Sequence, residues 1–331
     1  MIIEVSYRAG GAGKGSRAVF SDLVVGYLFL GGTGAGMSLV LSLLGLLVPR
    51  ESVPGARRMQ GGVAAWYRAL FVPGYAVSLL LLVVGVVCLL ADVGAIDRAL
   101  LLFVQPSLSF LAVGAWALAA CSLLTLALAL MWQSRLTWRT WVTRLVQGGA
   151  VVAALVAATY TGLLLQSMPS VPLWASWWLP ALFVLSAVSC GIAGVLGVAQ
   201  FTGASRRFAE VLRRLAVADV VVIVLEAVAV AFFVVLAATA ALPGGERTAT
   251  DAAASASVAS LLSGELAWLL WGGFALLGLA VPLVLDVLLA RSSRPLPGTA
   301  FIAAASVLAG GFIMRFCIVQ AGMHPSLAFG G

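Results

Sequence analysis

Eight apolar stretches, each long enough to cross a lipid bilayer, account for most of this chain. A hydrocarbon core about 30 Å thick requires roughly 20 helical residues per crossing, and only helices or closed barrels satisfy their backbone hydrogen bonds there. Only 9% of the residues are charged and 63% are hydrophobic, whereas about 25% of the residues in soluble domains are charged. The sequence therefore predicts an all-α integral membrane protein with eight transmembrane helices.

The predicted spans form one membrane domain, residues 23–321, between a polar N-terminal tail, 1–22, and a short C-terminal tail, 322–331. The first apolar run is longer than the core of a signal peptide, so we expect it to be retained. No connection is long enough for a large soluble domain, and chemistry that needs one must come from partner chains. We place the spans at 23–48, 70–91, 106–131, 146–167, 179–202, 215–242, 264–289 and 298–321.

Two glycine-rich faces occur at similar positions in spans one and five. Span one carries Gly32 and Gly36, and span five carries Gly191, Gly194 and Gly197. Small residues spaced three or four apart let two transmembrane helices approach closely. This correspondence predicts two four-helix bundles related by a weak parallel repeat.

Basic residues are distributed unevenly between the two sides of the predicted membrane domain. The loops after spans one, three, five and seven hold thirteen of the 19 Lys and Arg residues, the opposite side holds five, and Arg315 lies within span eight. Short loops rich in positive charge stay in the cytoplasm. We therefore predict a multi-pass protein of the cell membrane with both termini periplasmic or exterior. The net charge of +7 then matches anionic lipid headgroups and does not imply nucleic acid.

The chain is poor in ligands for redox metals. Its four cysteines lie in different apolar runs without CxxC spacing, and its single histidine, His324, follows span eight. An iron–sulfur cluster needs several cysteine ligands, and a membrane b-type haem needs paired axial histidines. We therefore expect no haem and no metal on this chain.

Arg315 is the most conspicuous charge, because it lies within span eight toward the end predicted to face outward. A charge inside the bilayer costs roughly 2 to 3 kcal/mol or more unless it is paired or hydrated. We expect its side chain to face the bundle interior, where it either pairs with a carboxylate such as Glu265 or polarises a ligand oxygen. The alternative is that it snorkels to the outer surface.

Two carboxylates mark one face of span six. Asp219 and Glu226 are seven residues apart, and two helical turns place both on the same side. This spacing suits a proton path that enters from the cytoplasmic side. The alternatives are an ion pair between Asp219 and Arg213, Arg214 or another helix, and a hydrogen-bonded neutral acid at Glu226. Asp286, in span seven, is expected to meet the Arg291 and Arg294 side.

Tryptophans cluster at the two predicted membrane interfaces, the depth that their amphipathic rings prefer. We interpret all six as markers of membrane depth. They are Trp174, Trp177 and Trp178 before span five, and Trp132, Trp138 and Trp141 after span three.

Several motifs together resemble one known family. Residues 27–32 read YLFLGG, and residues 160–164, YTGLL, close span four. The pattern continues through Pro169, Pro172, Trp174, Leu179-Pro180, Leu182-Phe183 and Ser186 to Gly194, and again in Gly310-Gly311, Arg315 and Gly322. The protein thus resembles, over essentially all eight spans, the NrfD/PsrC family of polysulfide-reductase-type membrane subunits.

This resemblance implies a haem-free membrane anchor that binds a quinone, either menaquinone or ubiquinone. The implied partners are a ferredoxin-like iron–sulfur subunit and a molybdopterin catalytic subunit of an oxidoreductase complex, with electrons exchanged between quinone and cluster at the outer face. The protein would then orient the quinone and handle its protons, while the quinone carries the redox chemistry. The resemblance leaves open whether the complex also translocates protons.

The resemblance also implies quinone-site residues near the outer ends of the spans. Tyr160 matches the family tyrosine that donates a hydrogen bond to a quinone carbonyl. Asp22 stands where family members often place a histidine or asparagine; its alternative role is the N-cap of span one. Tyr27 is a weaker candidate. Independently of the resemblance, Gln105 and Gln166 lie near the outer ends of spans and, with Arg315, offer further donors; the alternative role of the two glutamines is that of polar helix caps.

Two other classes of function are also compatible with the sequence. In a secondary transporter, Glu226, Asp219 and Arg315 would bind a coupling ion or an anionic substrate near the midplane. Transporter sites favour interrupted helices, and none of the spans has a proline near its centre. A purely structural membrane anchor is the third possibility.

Overall fold

The computed structural model describes residues 22–49, 52–53, 62–93, 110–134, 139–168, 171–240, 257–292 and 297–322. The two predicted tails lie outside this description apart from Asp22 and Gly322, and so does His324. The backbone of Asp22 is described, but its side chain is not.

All eight predicted spans are present as helices that are long and apolar enough to cross a membrane. This confirms the all-α membrane fold. The helices are α1 (Asp22–Leu47), α2 (Gly62–Val93), α3 (Phe110–Gln133), α4 (Thr140–Gln166), α5 (Trp178–Phe201), α6 (Ala209–Ala240), α7 (Leu269–Arg291) and α8 (Pro297–Gly322). Short 3₁₀ helices at Pro172–Ala175 and Ala204–Arg206 precede α5 and α6.

Three helices begin well before the apolar runs that predicted them: α2, α4 and α6, the last of which begins at Ala209 whereas its run begins at residue 215. Helix α2 begins at Gly62 and α4 at Thr140, whereas the apolar runs begin at residues 70 and 146. The added turns carry amphipathic side chains, such as Tyr67 and Arg68 on α2. Such side chains stay in a helix while their polar tips reach the headgroup region. The apolar run therefore marks the hydrocarbon core and underestimates the helix.

The eight helices pack as two rings of four. Within the first ring, α1 contacts α2 and α4, and α3 also contacts α2 and α4, which closes the ring. In the second ring, α5 to α8 contact one another in the same cyclic order. Helices α1 and α5 join the two rings, with additional contacts between α4 and α5 and between α1 and α8. The shared neighbour order is the arrangement that a parallel repeat of two bundles predicts.

A contact between helix ends shows that α1 and α4 run antiparallel. Arg144, near the start of α4, donates to the carbonyl oxygens of Gly45 and Val48 at the end of α1, the former at 2.8 Å. We name the end of the bundle at which α1 begins and α4 finishes the tyrosine end. The opposite end is the arginine end; its described arginines include Arg68, Arg139, Arg144, Arg213, Arg214 and Arg291.

The two predicted glycine faces meet directly where α1 crosses α5. A Cβ atom on Gly191 would lie 2.5 Å from the carbonyl oxygen of Gly36 and 2.7 Å from the backbone nitrogen of Met37. A Cβ on Gly194 would lie 2.6 Å from the sulfur of Met37. Only hydrogen fits at Gly191, where the neighbours are backbone atoms, whereas the flexible Met37 side chain can move away from Gly194. The predicted close contact is thus confirmed for Gly36 and Gly191 as the joint between the rings, while Gly32 faces Arg315 and no atom lies within 4 Å of a Cβ at Gly197.

Helix α7 is irregular in a way that the sequence did not indicate. Residues Leu269–Ala280 form π-helix, and the α-helical part, Val281–Arg291, starts beside Pro282. Proline has no N–H to donate to a preceding carbonyl, so a change of hydrogen-bond register at this point leaves fewer unsatisfied groups. Gly278 lies against Gly310 of α8, where a Cβ on Gly278 would be 2.6 Å from the Gly310 Cα.

Two of the six tryptophans are buried in the protein core and are therefore not anchors exposed at the membrane interface. Trp174 is buried and donates from its indole nitrogen to the carbonyl oxygen of Ile318, at 3.0 Å. Trp132 is also buried and stacks on Phe71 with ring centroids 4.3 Å apart. Composition could not distinguish these core rings from exposed ones such as Trp177, which is 81% exposed. Trp138 lies outside the described residues.

Candidate functional site

Two tyrosines from different helices meet inside the first ring, close to the tyrosine end. Tyr27 of α1 is 1% exposed and Tyr160 of α4 is 5% exposed, and their phenol groups face each other. Tyr27 lies five residues from the start of α1 and Tyr160 six residues from the end of α4. A rise of 1.5 Å per residue places both roughly 8 to 9 Å below these helix ends.

The neighbouring helices give this tyrosine pair a closely fitted, apolar surrounding. Gly114 of α3 lies against the ring of Tyr160, and any Cβ at that position would overlap the ring. Gly31 lies against the ring of Tyr27. Leu28, Leu118 and other buried aliphatic residues complete the cluster. Two hydroxyl groups thus form a small polar centre in an otherwise hydrophobic region.

The other two candidates of the tyrosine end lie at helix termini. Asp22 is the first residue of α1, and Gln166, which is half-buried, is the last residue of α4. Because α1 begins and α4 finishes at the same end, both residues lie between the tyrosine pair and the end of the bundle. Gln105 lies outside the described residues.

Arg315 lies at a second position, on the face of α8 that points into the molecule. Its side chain is 0% exposed, and Nη1 donates to Ser186 Oγ at 3.1 Å and to the carbonyl oxygen of Gly311 at 2.8 Å. Its guanidinium carbon lies 5.3 Å from the ring centroid of Phe183, a cation–π distance. The absence of a side chain at Gly32 leaves room for Nη2, which would be 3.0 Å from a Cβ there.

The charge of Arg315 is not neutralised by a close ion pair. Among the described residues, no carboxylate lies within 4 Å of its guanidinium group, and Nε and Nη2 have no hydrogen-bond partner. Glu265, the partner suggested by the sequence, is exposed while Arg315 is buried. Among the described residues, the acid that interacts electrostatically with Arg315 is Glu226, a buried residue of α6 that lies beside Ser186.

A third group of polar side chains lies closer to the arginine end of the second ring. Asp219 of α6 faces Asp286 of α7, and Ser189 of α5 lies beside them. All three are buried, and each has a side-chain oxygen without a hydrogen-bond partner among the described residues. Asp286 therefore faces another carboxyl group and not Arg291, which is exposed at the end of α7, while Arg294 lies outside the described residues.

The candidates fall into two regions that helix α1 separates. Tyr27 and Gly32 are five residues apart on α1, so their directions differ by about 140° around the helix axis. The tyrosine pair therefore belongs to the first ring, whereas Arg315 and the three acids, Glu226, Asp219 and Asp286, belong to the second. The sequence had placed Tyr160 and Arg315 around one ligand, and the structure assigns them to separate clusters.

Sequence reasoning missed the polar residues that connect the second region. Ser186 and Ser189 of α5 lie between Arg315, Glu226 and Asp219. The family pattern includes both serines but assigns them no role, and their spacing of three residues is common in small-residue packing faces. Gln147 of α4 was also missed; it is buried, and neither of its amide atoms has a hydrogen-bond partner among the described residues.

The fold and these buried polar clusters define an integral membrane protein of two four-helix rings with ionisable groups in its interior. The family described as "Polysulphide reductase, NrfD" matches residues 11–325, so the protein belongs to this family. It is 37% identical over 172 residues to the C subunit of polysulfide reductase from Wolinella succinogenes, covering 52% of this sequence and 51% of that protein. It is 33% identical over 175 residues to "Protein NrfD" of Escherichia coli, covering 52% and 51%. The matched part thus spans about half the length of these curated relatives.

Proposed function

We propose that this protein is the quinone-binding membrane subunit of a multisubunit oxidoreductase. The observation that carries the proposal is the Tyr27–Tyr160 pair, a buried polar centre with two hydroxyl donors close to one end of the bundle. Family membership supports it, because one relative is named as a component of polysulfide reductase. Electrons would pass between the quinone and an iron–sulfur subunit docked at the tyrosine end, with a molybdopterin subunit beyond it.

The residues of the tyrosine cluster suit a quinone. A phenol hydroxyl is a neutral donor that a carbonyl oxygen accepts, and the surrounding aliphatic residues suit an apolar ring. The ligand supplies the two-electron, two-proton chemistry when it is bound. Tyr160 would hold one carbonyl oxygen, Tyr27 would orient Tyr160, and Asp22 and Gln166 would lie on the route of protons to the surface.

The charge distribution gives the proposed orientation. By sequence, thirteen of 19 basic residues belong to the connections on the side of the arginine end, which supports a cytoplasmic arginine end and a tyrosine end at the periplasm or exterior. The membrane would then be the cell membrane. Whether the quinone is menaquinone or ubiquinone depends on the organism's pool, and both present the carbonyl group that Tyr160 would bind.

The matched substitutions Tyr160→Phe and Tyr75→Phe test the quinone site. Tyr75 is also a buried tyrosine with a hydroxyl partner, Ser42 at 3.3 Å, but it belongs to the hydrophobic cluster of the arginine end. We expect Tyr160→Phe to lower quinone-linked turnover of the assembled complex at least tenfold, as general acid–base and positioning groups do, and Tyr75→Phe to leave it nearly unchanged. Equal turnover in both variants would contradict the assignment.

We also propose that the second ring carries a proton path. The buried groups Asp286, Asp219, Ser189, Glu226 and Ser186 form a series that ends at Arg315. Asp219 and Glu226 are seven residues apart on α6, which is about 10 Å along the axis. The series therefore covers a large part of the bilayer core, where isolated ionisable groups are otherwise rare.

Glu226→Gln tests the proton path separately from the quinone site. Gln keeps the shape and hydrogen bonds of Glu but cannot exchange a proton. In vesicles containing the whole complex, we expect a loss of proton uptake on the side of the arginine end. Glu210→Gln, at an exposed carboxylate of the same helix, should have no such effect. Undiminished proton uptake in the Glu226 variant would remove this residue from the path.

Transport of an anion or a coupled ion is the second candidate function. It is favoured by the unpaired N–H groups of Arg315 inside the membrane domain and by the irregular start of α7, since transporter sites use irregular helices. Iron and acid-labile sulfide, measured in the complex isolated gently through a tag on this protein, distinguish the two. Several iron atoms per copy indicate a bound iron–sulfur subunit, and iron-free intact protein favours transport or a structural anchor.

A further inference from the structure

A cleft opens at the arginine end, far from the tyrosine pair. It has a volume of about 380 Å³, within the usual range of ligand sites, roughly 300 to 1,000 Å³. Its walls come from the end of α1 and the beginnings of α2 and α6, and they include Leu44, Phe71, Phe208 and Leu215. The walls are aliphatic and aromatic, with the hydroxyl of Tyr67 and the side chain of Arg214 as the polar exceptions.

The mouth of the cleft carries an excess of positive charge. Arg214 lines the cleft, and its guanidinium group is 3.0 Å from the carboxylate of Glu210, which Arg213 also contacts, at 2.9 Å. Next to the lining residue Phe208, Arg207 lies 4.4 Å above the ring of Trp66. Two arginines thus share one carboxylate, and with Arg207 the described residues at the mouth carry a net positive charge that is open to solvent.

The geometry points to a binding site for one anionic phospholipid in this cleft. An acyl chain matches the apolar walls, and a phosphate group matches the arginines at the mouth. The mouth lies at the level of the helix ends, where lipid headgroups lie, and basic pockets between transmembrane helices are recurrent sites for anionic lipid heads. A neutral ligand such as a quinone would contact the apolar walls, but the excess positive charge at the mouth would add little to its binding.

Such a lipid would bridge the two rings of the fold. The cleft joins α1 and α2 of the first ring to α6 of the second, on the opposite side of the bundle's length from the tyrosine pair. The proposal does not depend on the proposed quinone site or on which side of the membrane the arginine end faces, because both leaflets can supply phosphate headgroups.

Native mass spectrometry of the intact, delipidated complex tests the proposal. The probes are dioleoylphosphatidylglycerol and dioleoylphosphatidylcholine, which have the same acyl groups and differ in net charge. We expect one phosphatidylglycerol to bind in preference to phosphatidylcholine. Arg214→Gln should weaken that binding roughly fivefold, the effect of one arginine near a lipid surface, whereas Arg139→Gln, which removes an exposed arginine of the same end outside the cleft, should leave it unchanged.

A second variant tests the apolar part of the site without changing the charge. Val211 lines the cleft and is only partly buried, so Val211→Trp can fill the space while the helix stays folded. We expect this variant to lose the bound phosphatidylglycerol. Equal affinity for the two lipids, binding that survives both Arg214→Gln and Val211→Trp, or displacement of the lipid by a short-tailed ubiquinone would each overturn the proposal.

Discussion

The substitution Gly191→Ala should weaken the joint between the two rings measurably. The added methyl group would lie 2.5 Å from the carbonyl oxygen of Gly36 and 2.7 Å from the nitrogen of Met37. Both are backbone atoms, so no side chain can rotate away and one helix must shift. Overpacking of this kind costs up to about 3 kcal/mol, and the better helix propensity of alanine returns about 1 kcal/mol. We therefore expect a net loss of about 2 kcal/mol.

Gly197→Ala is the matched control, because it is the same change on the same helix. No atom lies within 4 Å of a Cβ at Gly197, so only the propensity gain remains. The assay is thermal unfolding in detergent, followed with a thiol-reactive fluorophore. The four cysteines are free, and Cys121, Cys190 and Cys317 are buried, so unfolding exposes them. The midpoint should fall in the Gly191 variant and stay level or rise in the control. Equal midpoints would refute the reasoning about the joint.

Two further outcomes follow from buried polar side chains. Trp174→Phe removes the indole donor to the Ile318 carbonyl oxygen. In the same unfolding assay, we expect this variant to be less stable by about 1 kcal/mol or somewhat more. An unchanged midpoint would mean that this hydrogen bond makes no net contribution to stability. Arg315→Met removes a fully buried charge that has no carboxylate within 4 Å among the described residues. Because unpaired buried charges cost stability, the stability of this variant should hold or rise. Its turnover or proton uptake should fall. Full activity together with higher stability would show that the charge has no role.

A large part of the fold could be predicted from the sequence. The hydrocarbon core sets the length of a spanning helix, so eight apolar runs predict eight helices, as found. The glycines of spans one and five predicted a close contact, because a glycine on a transmembrane helix lets the backbone of a neighbouring helix approach closely. The first residues of helices, such as Gly62 and Thr140, were harder to predict from the sequence, because helices continue into the headgroup region, where hydropathy falls.

The site could be predicted only as a set of residues. Tyr27 and Tyr160 were named separately, and the structure shows that they form one pair. Arg315 was expected beside Glu265 and the tyrosines, and it lies instead with Ser186 and Glu226. A sequence states how deep each residue lies along its helix. It does not state which neighbouring helix that residue faces.

The physical reason lies in the solvent of this protein. A helix in water shows its buried side by contrast between apolar and polar faces, but in a bilayer the lipid-facing and the protein-facing sides are both apolar. By itself, the sequence determined the number, approximate position and apolar character of the helices. The tertiary structure alone decided their rotation and packing, and with it that Trp132 and Trp174 are core residues and that Asp219 faces Asp286. Small residues and a few buried polar contacts set that packing.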